Sequence, residues 1–234
     1  MDPTHINVIM VSRDLWEMTR KALETLIFTM SAPWGLIFIN NGSVDETRGT
    51  CDKIAPTWAW SYFNGYRVHH YRRPVSLATA WNKGFDMANH DAEYTLFANN
   101  DIVFHKHGWW QRFQELLDGG LDLAGIQEMT WYRFRFVEGS LFAARTATLL
   151  RLMEKGRLFD PRFPLTCEDV DLSERFLRAG LKIGQVVGLQ PDYLVHIGHA
   201  TLSHFGPTED LMGKMHASRR ALCAKWGYEE KESD

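Results

Sequence analysis

An apolar segment in the middle of the chain, YTLFANNDIVF, is interrupted once, by two amides and a carboxylate. The interruption consists of Asn99, Asn100 and Asp101, and the apolar pattern resumes directly after it. Burying such groups costs free energy unless a partner satisfies them. A helix cap or a turn also favours Asn and Asp, but a cap does not explain why the apolar pattern continues. These residues are therefore candidates for binding a polar ligand or a cation.

A pair of carboxylates, Glu168 and Asp169, opens a helical pattern in CEDVDLSERFLRAG. Acidic residues are favoured in a first helical turn by the helix macrodipole, so a purely structural role is one interpretation. The chemical interpretation is proton transfer, because a carboxylate at hydrogen-bonding distance can take the proton of an attacking hydroxyl. Position alone leaves both open.

Histidines follow an apolar strand pattern in YLVHIGHATLSHF. Neutral imidazole is a common metal ligand, which makes His196 and His199 candidates. Since they are three residues apart, they face opposite sides of an extended strand, and only one can point inward. The alternative for each is an ordinary surface or core histidine. A zinc site based on cysteines or on an HExxH helix is not indicated.

Strand and helix patterns alternate through the first half of the chain. Continuous apolar runs predict buried strands at 6–12 and 34–40, and further strands are predicted at 66–71 and 94–101, with helices between the strands. Such alternation predicts an α/β fold with a mostly parallel sheet, in which ligands bind beyond the carboxyl ends of the strands. Polar residues at 12–14, 40–43 and 99–101 end three of these strands and should gather at one edge.

The second half has less regular patterns. LDLAGIQE and FVEGSLFAA are predicted to be strands, and RTATLLRLMEKG is predicted to be a helix that ends at Gly156. The acidic CEDVD stretch then begins the helix described above.

Composition and charge bound the class of protein. The 234 residues are 45% hydrophobic, which is ample for one buried core, and the net charge of -3 gives no global sign of a nucleic-acid binder. No secretory leader is recognised, and no apolar run approaches the roughly 20 residues that span a bilayer. Cys51, Cys167 and Cys223 are odd in number and widely spaced, so we expect a reducing, cytoplasmic location without disulfides.

Six motifs in a fixed order resemble those of a known family. They are NNGSVDET, SLATAWNKGF, YTLFANND, EGSLFAAR, CEDVDLSERFLRAG and a terminal KWG. Their order and spacing resemble family 2 glycosyltransferases, which have the GT-A fold, and most closely the rhamnosyltransferase-like branch. The resemblance runs from Val8 to Gly227. It implies a Rossmann-like, mostly parallel sheet flanked by helices, with a small second sheet.

The resemblance also implies a domain organisation. We expect a single domain over residues 1–228, with a nucleotide-binding half at about 1–104 and an acceptor and catalytic half at about 105–228. Residues 229–234 are expected to be a flexible tail.

Roles for individual residues follow from the same motifs. The residues that should surround the nucleotide-sugar are Ser12, Arg13, Asn40, Asn41, Asp45, Asn82, Asn99, Asn100 and Asp101. Asp101 matches the last acid of the metal-binding DxD motif, whereas Asn99 replaces its first. Asp169 matches the catalytic base of inverting members, with Glu168 beside it.

A histidine is expected to complete the metal shell. The IGH stretch resembles that of some GT-A enzymes, which favours His199. The V-x-H pattern near the end of the last strand also recurs in the rhamnosyltransferase-like branch, which favours His196.

These features predict an enzyme that moves a sugar from a UDP-, dTDP- or GDP-sugar to the hydroxyl of a saccharide or another acceptor, with inversion. A divalent cation, Mn²⁺ or Mg²⁺, would neutralise the leaving diphosphate. Two alternatives remain. Asn99 in place of an acid favours a module that binds nucleotide-sugar or saccharide with little or no turnover. A nucleic acid or modified base as acceptor is a further alternative, which the net acidity disfavours.

Overall fold

Eleven strands and seven helices occur in the part of the chain that the structure, a computed structural model, describes: residues 6–57, 62–198 and 208–229. The strands are β1 (Ile6–Ser12), β2 (Trp34–Asn40), β3 (Phe63–His70), β4 (Tyr94–Asn99), β5 (Ile102–Phe104), β6 (Leu123–Gly125), β7 (Glu128–Trp131), β8 (Phe134–Val137), β9 (Leu141–Arg145), β10 (Ile183–Gln185) and β11 (Leu194–His196). The helices are α1 (Trp16–Thr29), α2 (Thr47–Thr57), α3 (Leu77–Asp86), α4 (Trp109–Asp118), α5 (Thr146–Arg151), α6 (Glu168–Arg178) and α7 (Glu209–Trp226).

The central sheet has the strand order β10-β6-β9-β4-β1-β2-β3. Its strands are parallel except for β9, which runs antiparallel to both β4 and β6. Two small antiparallel sheets pair β5 with β11 and β7 with β8. The predicted α/β fold with a mostly parallel sheet is therefore confirmed, with two small sheets where the sequence predicted one.

Two predicted strands are shorter than their apolar patterns. FVEGSLFAA is not one strand, because β8 pairs in a small sheet and β9 in the central sheet. Residues 138–140 make the turn between them. Likewise β4 ends at Asn99, since β5 leaves the central sheet to pair with β11. In both places the segments before and after the polar residues are apolar and buried. The apolar pattern therefore does not show that the chain changes sheet there.

The core lies on both faces of the central sheet. Helices α1 and α4 cover one face, and α3 and α6 cover the other. Trp109 and Trp110 are fully buried and anchor α4 in the core. Gly84 lets α3 approach β1, because a Cβ at this position would lie 2.4 Å from Ile9 Cγ2.

Helix α7 packs on the β7–β8 sheet and on α6. Leu222 and Cys223 contribute to a third apolar cluster with Phe134 and Val170. All three cysteines fall within the described residues and none forms a disulfide. Among the described helices, none combines the length and the apolar character needed to cross a bilayer. Residues 230–234, most of the predicted tail, lie outside the described residues.

Candidate functional site

Asp101 lies in the short connection where the chain passes from the central sheet to the small β5–β11 sheet. The antiparallel register places His196 opposite Ile102, next to this connection. The backbone N–H of Ile197 donates to the Asp101 carbonyl over 3.0 Å, which holds the two segments together. As a result, His196 Nε2 lies 3.4 Å from Asp101 Oδ1. Strand pairing thus joins two residues that are 95 positions apart.

The Asp101–His196 pair fits a divalent cation. Asp101 is only 5% exposed, and neither its Oδ1 nor His196 Nε2 makes a well-aligned hydrogen bond within the described residues. Two buried acceptors that face each other are satisfied by a proton or a cation, and carboxylate oxygen with imidazole nitrogen suits Mn²⁺. His199, the other candidate ligand, lies outside the described residues.

Glu138 is a neighbour of His196 to which the sequence prediction assigned no role. Its Oε1 lies 3.9 Å from His196 Nδ1, and its Oε2 accepts a hydrogen bond from Ser140 Oγ. Burial lowers the pKa of His196, but the carboxylates of Asp101 and Glu138 raise it by more. A carboxylate in the middle of the apolar FVEGSLFAA pattern was the available signal, the same one that singled out Asp101.

Asp169 lies at the start of α6, against the same 138–140 turn. Its Oδ2 accepts from the backbone N–H of Gly139 over 2.9 Å, and its Oδ1 accepts from that of Val170 over 2.8 Å. The absence of a side chain at Gly139 eases this approach, since a Cβ there would lie 3.1 Å from Asp169 Oδ2. The turn therefore contacts His196 through Glu138 and the candidate base through Gly139.

The two acids that open α6 differ in their protonation. Burial and the charge of Asp169 raise the pKa of Glu168 well above its usual value, and Glu168 Oε2 has no hydrogen-bond partner in the described part of the chain. Burial also raises the pKa of Asp169, but the N–H groups of Val170 and Gly139 limit the rise to about 6. Two backbone N–H groups thus stabilise the carboxylate of Asp169, whereas burial and the charge of Asp169 favour the protonated form of Glu168. Asp169 is therefore the better base.

Three of the predicted nucleotide-contacting residues have side chains engaged in hydrogen bonds to neighbouring protein segments. Asn41 clamps Val75 by accepting from its N–H (2.8 Å) and donating to its carbonyl (3.0 Å). Asn82 clamps residues 158–159 in the same manner. Asn100 donates to Thr19 Oγ1 over 2.9 Å. These amides shape the edge of the sheet, and a direct nucleotide contact from them stays a prediction.

Asp14 follows β1 and Asp45 follows β2, and each carboxylate accepts a hydrogen bond from the segment that follows the other strand. Asp45 Oδ2 accepts from the N–H of Trp16 over 3.0 Å, which satisfies a donor in the first turn of α1. Asp14 Oδ1 accepts from the N–H of Val44 over 2.7 Å. Both carboxylates thus hold loops in place.

Ser12, Arg13 and Asn99 complete the polar edge. Ser12 Oγ is buried against Thr19 Oγ1 at 2.8 Å, whereas the Arg13 side chain is 38% exposed. Asn99 is half-buried, and its side chain makes no hydrogen bond to another described residue. Arg13, Asp45 and Asn99 are thus the predicted nucleotide contacts that are partly accessible at this edge.

Asn40 belongs to a separate cluster with Cys51, Asp52 and His70. Asn40 Oδ1 accepts from the N–H of Ser43, so its Nδ2 faces His70 Nδ1 at 3.1 Å and donates to it. His70 therefore carries its proton on Nε2 and donates it to Asp52 Oδ1 over 3.0 Å. Although Cys51, Asp52 and His70 are close enough to share a metal ion, this network leaves no imidazole lone pair for one.

Comparison with known proteins identifies the fold. The mannosyltransferase PcManGT from Pyrobaculum calidifontis, solved with GDP-Man and Mn²⁺, superposes with a TM-score of 0.64 at 11% identity, covering 97% of this chain and 76% of that one. The S. aureus TarS fragment 1–349, solved with UDP-GlcNAc, gives 0.58 at 14% identity, covering 97% and 68%. GalNAc-T7 with UDP, GalNAc and Mn²⁺ gives 0.61 at 12% identity, and this chain spans 42% of it.

The fold of these neighbours confirms the predicted GT-A architecture. No curated protein matches the chain by sequence. The sequence model of glycosyl transferase family 2, however, matches residues 7–141, which is more than half of the chain and includes β1, β4, Asp101 and Glu138. The chain therefore belongs to glycosyl transferase family 2.

Proposed function

We propose that this protein transfers a sugar from a nucleotide-diphospho-sugar to an acceptor hydroxyl, with inversion at the anomeric carbon. The observation that carries the proposal is the convergence of two functions on one turn. Residues 138–140 contact His196, which faces Asp101, and also Asp169, the acid at the start of α6 whose carboxylate accepts two backbone N–H groups. A cation site and a base are the two elements that a direct displacement needs.

In the proposed reaction, Asp169 accepts the proton of the acceptor hydroxyl. The acceptor oxygen then forms its bond to the anomeric carbon as the bond to the diphosphate oxygen breaks on the opposite face. The protonated form of Glu168, which its raised pKa favours, would limit the negative charge beside Asp169. Asp101 and His196 would hold Mn²⁺ or Mg²⁺, which when bound supplies Lewis-acid stabilisation of the leaving diphosphate.

The donor class follows from the family and from what its structural neighbours were solved with. PcManGT was solved with GDP-Man and TarS with UDP-GlcNAc, and both resemble this chain over nearly its whole length. We therefore propose a UDP-, dTDP- or GDP-sugar as donor, with Arg13 and Asn99 among its contacts. The Asn-Asn-Asp sequence at 99–101 supports membership of the rhamnosyltransferase-like branch. The acceptor is a saccharide or another hydroxyl compound.

A thermal-shift panel of UDP-, dTDP- and GDP-sugars, each with and without Mn²⁺, tests the proposal. We expect one donor to raise the melting temperature, and to do so only when Mn²⁺ is present. A ligand at about 100 times its Kd adds roughly 2.7 kcal/mol to the free energy of unfolding, which gives a measurable shift. Turnover of that donor should follow. A shift without any turnover would favour the binding module, and no shift with any donor would contradict the proposal.

The pKa of Asp169 predicts the pH dependence of transfer. A base with a pKa raised to about 6 is ionised above that pH and protonated below it. The value of kcat/KM should therefore be level above about pH 7 and fall about tenfold per pH unit on the acid side of the pKa. A pH–rate profile, corrected for stability by melting temperature at each pH, measures this. A rate that rises on acidification would exclude Asp169 as the base.

A further inference from the structure

Glu138 and Asp101 face different ring nitrogens of His196. His196 presents one ring nitrogen to each of two carboxylates, with Nε2 3.4 Å from Asp101 Oδ1 and Nδ1 3.9 Å from Glu138 Oε1. A neutral imidazole can bind a cation through only one nitrogen, while the other carries the proton. The two sides of the ring therefore need different roles.

We infer that Glu138 is a positioning residue for the cation site. Its carboxylate lies on the Nδ1 side of the ring, at 3.9 Å, and favours the tautomer with the proton on Nδ1, which directs the lone pair of Nε2 toward the cation beside Asp101. Histidines that bind metals commonly donate their second N–H to a carboxylate, which fixes the ring and raises its basicity. This inference rests on the proposed function, and it concerns a residue outside the predicted ligand set.

The surroundings of Glu138 support this role. Ser140 Oγ donates to Glu138 Oε2, which leaves Oε1 as the oxygen that faces the imidazole. The Glu138 side chain is 22% exposed and the His196 side chain 14%. Both side chains are therefore largely shielded from water, which strengthens the attraction between the carboxylate and the imidazole N–H. In the described part of the chain, no Lys or Arg lies within ion-pair distance of Glu138.

The inference also accounts for the departure from the DxD pattern. With Asn99 in place of the first acid, Asp101 is the single carboxylate of the motif. A more basic and rigidly oriented histidine compensates for the missing charge. The backbone N–H of Asn99 donates to the Ser140 carbonyl over 2.8 Å, so the altered motif position and the 138–140 turn adjoin directly.

The test is to measure the Mn²⁺ affinity of the full chain from the EPR signal of free Mn²⁺. The measurement is made without nucleotide and with saturating UDP or GDP. We expect Glu138→Ala to weaken Mn²⁺ binding roughly 10- to 100-fold, the usual effect of removing such a partner. Glu138→Gln should lie between Ala and the unsubstituted protein, because its amide oxygen still accepts from Nδ1. If the Ala variant does not fold, the Gln variant alone must bind Mn²⁺ more weakly for the inference to hold.

Two further variants separate the possible outcomes. Glu115→Gln removes a carboxylate from the exposed face of α4 and should leave Mn²⁺ affinity unchanged, whereas Asp101→Asn should lose it. Glu138 variants that bind Mn²⁺ like the unsubstituted protein, while Asp101→Asn does not, would overturn the inference and leave the proposed function intact. An unsubstituted protein that binds neither Mn²⁺ nor a nucleotide would overturn both. Glu138 variants that lower the melting temperature but leave the Kd for Mn²⁺ unchanged would show a merely structural role for Glu138. That outcome would also overturn the inference.

Discussion

Replacing Asp169 by Asn is expected to lower the transfer rate by about 10²- to 10⁴-fold, the usual contribution of a positioned base. The amide has nearly the same shape and can still accept one of the N–H groups of Gly139 and Val170, so the fold should survive. Because Asp169 contacts neither Asp101 nor His196, the affinity for Mn²⁺ and nucleotide should be nearly unchanged. Single-turnover kinetics together with donor binding measure the two effects separately.

Glu168→Gln is the matched control for that substitution. Glu168 is adjacent in sequence, belongs to the same helical turn, and has a pKa that burial and the charge of Asp169 raise well above its usual value. A neutral amide should therefore replace it with a much smaller loss of rate than Asp169→Asn causes. The reverse order of the two variants would assign the base to Glu168. Equal loss of transfer and of nucleotide binding in Asp169→Asn would show that Asp169 acts through the structure.

Replacing Lys225 by Met is expected to lower the free energy of unfolding by about 3–5 kcal/mol, the usual result of breaking a buried ion pair from one side. Lys225 Nζ lies 2.8 Å from Asp171 Oδ1, and Asp171 is completely buried. The same ammonium lies 3.2 Å from Asp160 and 2.8 Å from Glu154. Without it, Arg175, at 3.2 Å, is left as the cation nearest to Asp171.

Chemical denaturation measures this loss, with Lys214→Met as the control. Lys214 also pairs with a carboxylate, that of Asp210, but this pair is exposed on α7. Its loss should cost no more than about 1 kcal/mol, the range of surface ion pairs. Similar values for the two variants would mean that the buried network adds little to stability.

The same network explains why the terminal KWG motif occurs with EDVD. Trp226 Nε1 donates to Asp171 Oδ1 over 3.0 Å, beside Lys225. Two consecutive residues of α7 therefore bind the third acid of the helix that begins with Glu168 and Asp169. The KWG motif therefore stabilises the helix that carries the candidate base, Asp169.

Much of the fold was predictable because its signals are local. Continuous apolar runs identified β1 and β2 at their observed bounds, since a parallel strand buried on both faces has few polar positions. The polar strand ends at 12–14, 40–43 and 99–101 gather at one edge for the same reason, as parallel strands all end there. Asp101 was recognisable because an acid in an apolar pattern has few structural explanations.

The strand breaks could not be read from the sequence. FVEGSLFAA is buried on both sides of Glu138, so its hydrophobicity does not reveal that β8 and β9 belong to different sheets. The roles of the amides were equally hidden. Asn41 and Asn82 clamp distant loops, and a side chain that binds a backbone 34 or 77 residues away has no local signature.

The sequence by itself determined the architecture and the identity of the acids, because periodicity and residue type are properties of short segments. Which residues meet was decided only by the tertiary structure. Asp101 faces His196 because β5 pairs antiparallel with β11, and Glu138 reaches that histidine because the chain changes sheets at residue 138. Such distances depend on strand register and on turns, which result from the packing of the whole chain and not from any single stretch of it.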